Sequence, residues 1–65
     1  MYANPLKEFR QKKELTQKEL ADAINYSLPL YKKIEQRRQT PSYNFILALL
    51  HAFPEIDIKE MFFEG

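Results

Sequence analysis

Five helix-start signals fall within sixty-five residues, 11 to 15 positions apart, and this spacing leaves room only for short helices. Asn4-Pro5 reads as an N-cap followed by proline at the first helical position, where the missing N–H is no loss. Leu6, Phe9 and Lys13 then share one face, which predicts a helix over 5–13. Thr16-Gln17-Lys18-Glu19 has the form of a capping box, in which the Thr16 hydroxyl accepts from the Glu19 amide and the Glu19 carboxylate accepts from the Thr16 amide. Leu15 and Leu20 flank it as a hydrophobic staple. Leu20, Ala21 and Ile24 form the inward stripe of a helix expected over 16–24, ending at Asn25, a residue type that tolerates left-handed backbone. Ser27 can cap a third helix over 28–36, with Tyr26 and Tyr31 as its staple and Tyr31 and Ile34 facing inward. Pro29 fits a first turn but disfavours helical geometry at Leu28, so that helix starts at one of these two residues.

Thr40-Pro41-Ser42 interrupts the chain and opens a fourth helix over 42–53. Tyr43, Ile46, Leu47, Leu50 and Phe53 recur at helical spacing and predict its core stripe. Pro54 ends it. Asp57-Ile58-Lys59-Glu60 offers a last cap, with Ile56 and Met61 as a staple, for a helix over 57–63 that closes on Phe62-Phe63. No stretch alternates with period two. The expected class is all-α, in one domain spanning 1–65.

At this size a chain usually needs a disulfide or a metal to hold its core. With no Cys and one His (His51), neither is available, so no metal or cofactor is expected and stability rests on packing or on a second chain. No apolar run approaches the ~18 residues of a membrane span and no signal peptide opens the chain. The expectation is a soluble cytoplasmic protein without a membrane partner. Ser27, Ser42, His51, Asp22 and Asp57 supply catalytic residue types, but Ser27 and Asp57 already serve as caps. A fold this small can hardly enclose a pocket of ~300 Å³ or more, so an enzyme is not expected.

Net charge is only +1, yet it is divided unevenly. Residues 1–41 carry nine Lys/Arg against five Asp/Glu; residues 42–65 carry one Lys against four acids. The densest basic stretch is Lys32, Lys33, Arg37 and Arg38, interrupted by Glu35. Such a patch suits a polyanion.

The second and third helices, joined by a three-residue turn, have helix-turn-helix spacing over about 16–36. Leu15-Thr16-Gln17-Lys18-Glu19-Leu20-Ala21, then Ile24-Asn25-Tyr26-Ser27, Ile34-Glu35 and Pro41-Ser42, resemble the Cro/Xre-type helix-turn-helix family of phage repressors and bacterial regulators. The likeness runs from about Pro5 to Phe62. It implies a compact five-helix, lambda-repressor-like domain and a sequence-specific regulator of transcription that binds double-stranded DNA in the bacterial nucleoid or the cytoplasm of a phage-infected host.

By the same resemblance Gln17 grips a DNA phosphate and braces the recognition helix. Ser27, Leu28, Pro29, Lys32 and Lys33 face the major groove. Arg37, Arg38 and Gln39 contact the backbone from the following loop, and Arg10 and Glu35 form an ion pair between the first and third helices. The family often dimerises through its C-terminal segment, which assigns Phe62 and Phe63 to a weak homodimer on DNA. Three departures stand out: Asn25 and Arg37 occupy places where relatives often have Gly, and Leu28-Pro29-Leu30 replaces polar base readers. Leu28 and Pro29 could touch thymine methyl groups. The alternative is a modulator or antirepressor that keeps the fold and docks another regulatory protein through this apolar tip.

Overall fold

The computed structural model describes residues 4–63, with only the backbone of Phe63 included. Five helices follow one another, and no strand occurs among the described residues: α1 (Pro5–Lys12), α2 (Gln17–Ala23), α3 (Leu28–Glu35), α4 (Tyr43–Ala52) and a short, widely wound α5 (Lys59–Phe63). They fit within 28 × 23 × 21 Å.

Each of the first four helices begins on a side-chain cap, because its first amides lack intrahelical partners. The Asn4 carbonyl oxygen accepts from Lys7, Ser27 Oγ from Leu30 and Ser42 Oγ from Phe45. At Thr16 both halves of the capping box are made, at 3.0 and 2.8 Å. Leu28 and Pro29 are the first two residues of α3, so proline sits where the missing amide costs least.

The first three helices end alike. Glu14, Asn25 and Arg37 have φ of 57°, 64° and 62°, in the left-handed region. The residue after each, Leu15, Tyr26 and Arg38, donates its amide five residues back, to Arg10, Ala21 and Lys33. This is the 6→1 bond of a Schellman motif, made three times without glycine at the reversed residue. The only glycine of the chain is Gly65.

Burial follows from these reversals, which fold each apolar stripe onto the next. Leu6, Leu20, Ala21, Ile24, Tyr31, Ile34, Phe45, Leu49 and Ile56 form the core, sealed by half-buried Phe9, Leu15, Tyr26, Leu30 and Phe53 among others. Phe45 sits at its centre, edge-on to Tyr26 (5.2 Å) and stacked with Tyr31 (6.3 Å), while Phe9 and Phe53 meet edge-on at 5.3 Å.

The stripe predicted for α4 is a correction. Tyr43 is 75% exposed, Ile46, Leu47 and Leu50 are half-buried, and the residues driven fully inside are Phe45 and Leu49. At 100° per residue, the mean direction of 45 and 49 lies about 130° round the helix from that of 43, 46, 47 and 50. Both sets have helical spacing in an almost wholly apolar helix, and the large Phe45 ring is what the tyrosines of α2–α3 enclose.

Candidate nucleic-acid interface

The interface is built outward from Glu35, the last residue of α3 and a buried carboxylate at 3% exposure. Leaving a carboxylate in the interior without partners costs several kcal/mol. Here every part of it is engaged. Arg10 Nε donates to Oε1 at 2.7 Å, the Tyr31 hydroxyl donates to the same oxygen at 3.0 Å, and the Gln17 amide donates to Oε2. The Asn4 amide donates to the Glu35 backbone carbonyl at 2.7 Å, and the second arm of Arg10 reaches the Leu15 carbonyl at 2.9 Å. One side chain therefore joins α1, the start of α2 and α3.

Sequence matching paired Arg10 with Glu35, and the structure sets them in contact. The same matching had Gln17 brace the third helix without naming Glu35 as the partner. The first helical residue of α2 is held through its amide nitrogen by Glu35, which leaves its carbonyl oxygen without a role in this cluster. Tyr31 was also missed as a polar partner. Its position four residues before Glu35 on the inward face was the available signal.

Burial pushes the Glu35 carboxyl up, but the hydrogen bonds from Arg10, Gln17 and Tyr31 and the Arg10 charge outweigh it, and the net effect is a pKa below the ordinary 4.5. The Arg10 guanidinium is raised by its bond to Glu35, and the Tyr31 hydroxyl is raised by burial and by the nearby carboxylate. Tyr31 thus stays a neutral donor at any physiological pH. Because the folded pKa of Glu35 is depressed, its stabilisation is fully present above pH 4.5 and disappears as pH falls through the lower folded value. Unfolding free energy followed by denaturant titration is expected to drop below about pH 4.5. The drop should be shallower in an Arg10→Met/Glu35→Met protein. Identical acid losses in both proteins would exclude Glu35 as a source.

The remaining matched residues spread over the surface beside this cluster. Lys32 and Lys33 are exposed on α3, and Arg37, Arg38 and Gln39 are exposed in the loop that follows. The Ser27 hydroxyl caps α3. Pro29 is exposed and Leu28 half-buried, but Leu30 packs against the core. The apolar tip is thereby smaller than Leu28-Pro29-Leu30 suggests. Phe62 is half-buried and packs on the core, and the side chain of Phe63 lies outside the described residues.

Apart from this face, a groove of about 220 Å³ opens between α1 and α5, lined by Phe9, Ile56 and Met61 with Glu8, Asp57 and Glu60 on its rim. No group of residues suited to hold a metal ion occurs among the described residues, and none of their helices is long and apolar enough to cross a membrane.

Against known proteins, the helix-turn-helix family profile matches residues 6–61, which include the whole Glu35 cluster except Asn4. The chain belongs to this Cro/C1-type helix-turn-helix family, a family of DNA-binding domains and not of enzymes. No curated protein and no solved structure gives a match.

Proposed function

We propose that the protein is a sequence-specific regulator of transcription, with α3 entering the major groove of double-stranded DNA. The observation that carries this reading is the Glu35 cluster. It fixes Gln17 at the start of α2 and ties it to α3, so that a phosphate-facing group and the groove-facing helix are held as one rigid unit. In this reading the Gln17 NH2 gives one hydrogen to Glu35 and the other to a phosphate, beside the first amides of α2. Ser27, Leu28, Pro29, Lys32 and Lys33 face the groove, while Arg37, Arg38 and Gln39 follow the backbone. Hydrogen-bond readout is thin on this helix, since Leu28 and Pro29 offer only contact with thymine methyl groups. Phosphate contacts then supply much of the affinity, and a second copy on an adjacent half-site, one duplex turn or ~34–36 Å away, supplies the rest.

Two lysines carry the test. In a Lys32→Ala/Lys33→Ala protein, the slope of log K against log[salt] should fall by about two units if each neutralises one phosphate. A fall nearer one means that one of them reads a base instead. Binding to the neighbouring promoter region, measured by fluorescence anisotropy over a range of salt, gives this slope. An unchanged slope would remove both lysines from the interface.

A further inference from the structure

We infer that the groove between α1 and α5 is a docking site for a basic peptide segment of another protein, which seats one large aliphatic side chain between flanking lysines or arginines. Its floor is apolar. Phe9 and Met61 are half-buried there and Ile56 is buried, so an incoming side chain meets mainly carbon. Met61, unbranched and polarisable, adjusts to the shape of what enters. At about 220 Å³ the groove lies below the ~300 Å³ and more of small-molecule sites. Its size suits a single anchoring side chain of a longer segment.

The rim selects the occupant. Glu8 on α1, Glu55 and Asp57 in the link before α5, and Glu60 on α5 set four carboxylates around that floor against one cation, Lys12. Two of the four already have work inside the chain: Glu55 is paired with Lys13, and Asp57 Oδ1 accepts the Glu60 amide. Glu8 and Glu60 are exposed, and neither carboxylate has a hydrogen-bond or ion-pair partner among the described residues. One stands on each wall of the groove. This rim disfavours DNA, a polyanion, and a second copy laid across a two-fold axis, which would bring the same acids against themselves. Lysine or arginine beside an apolar anchor answers both rim and floor: the heads reach Glu8 and Glu60 while the aliphatic stems extend the apolar contact. So small a contact is weak and sensitive to salt. The inference goes beyond the proposed DNA binding and does not rest on it, since no residue of the groove is among those assigned to DNA.

Amide chemical-shift mapping of the isotope-labelled full chain tests it, with an end-capped peptide of one leucine flanked on each side by two lysines as the probe. Shifts should gather at Glu8, Phe9, Ile56, Glu60 and Met61, with a dissociation constant of about 1 mM or below that rises as salt is raised from about 0.05 to about 0.5 M. The same peptide with alanine in place of leucine, and one with glutamates in place of the lysines, should each bind at least about tenfold more weakly. Glu8→Gln/Glu60→Gln keeps the shape of both side chains and should raise the dissociation constant at least about fivefold. Both positions are exposed, so helix content should not change in that variant. No shifts at about 5 mM peptide, or shifts that map to α3, would overturn the inference. Equal binding of the alanine peptide would overturn it as well, because the acids would then act as a solvated charged face without the groove. Equal binding of the glutamate peptide would remove the charge selection on which it stands. Groove shifts that grow with the concentration of the chain alone would give the site to a second copy and overturn it. None of these readings uses DNA, so failure here leaves the DNA-binding proposal to its own salt-slope test.

Discussion

Replacing Glu35 with alanine is expected to cost the fold about 3–5 kcal/mol, because it strands the Arg10 charge in a place where only 12% of that side chain is exposed. The change also takes the acceptor from Gln17 and Tyr31, while the Asn4 bond, which uses the backbone carbonyl, survives. A chain of this length holds about 3–10 kcal/mol in all, so the variant should lose about a third of its stability or more. Replacing both partners with methionine should cost less, since no charge is then left buried and the volume is roughly kept, although Gln17 and Tyr31 still lose their acceptor. Chemical denaturation of Arg10→Met, Glu35→Met and the double variant closes the cycle, with an interaction energy of at least about 2 kcal/mol expected. Additive losses would mean that Arg10 and Glu35 act separately despite their 2.7 Å contact.

The second large effect lies in α4. Phe45→Ala should cost about 3–5 kcal/mol, since the ring is wholly enclosed and touches both Tyr26 and Tyr31. For a domain of this size that is a drop in melting temperature of more than about 12 °C. Tyr43→Ala, two residues earlier, should stay within about 0.5 kcal/mol. Calorimetry of the two variants reads the phase of the helix directly. Comparable losses would put Tyr43 inside and undo the core described for α4.

That phase is also the clearest example of what a sequence does and does not disclose. The helix itself was plain from Pro41-Ser42, Pro54 and the apolar run between them. Its rotation was not, because Tyr43-Ile46-Leu47-Leu50 and Phe45-Ala48-Leu49 satisfy the same spacing. Periodicity finds a stripe; when both sides are apolar, only the shape of the neighbouring helices decides which one is buried. Caps behave differently. Thr16 and Glu19 find each other within one turn, so their geometry is local and could be read in advance. The same holds for Asn25, whose left-handed backbone needs only its own side chain to be tolerable; Glu14, equally reversed, carries no such sign.

The candidate site divides along the same line. Arg10 and Glu35 were matched through the family likeness, across 25 residues of chain that no local rule spans. The family likeness had Gln17 brace the third helix but did not name Glu35 as the partner, because a glutamine at a helix start has an adequate local use as a phosphate ligand. Lys32, Lys33 and Arg38 were visible as charge alone, which reveals a surface but not what it grips. Wide winding in α5 had no sequence signal that we recognise.

The α3 helix, finally, keeps the residues that anchor it apart from those it shows to solvent, which the proposed function uses for reading DNA. Leu30, Tyr31, Ile34 and Glu35 hold it to the rest of the chain, whereas Pro29, Lys32 and Lys33 point to solvent and Leu28 does so in part. For an engineer this makes α3 a replaceable reading head on a fixed mount. The outward positions can be rewritten toward another binding preference, and a melting temperature that holds through the rewriting measures how cleanly the two sets are divided.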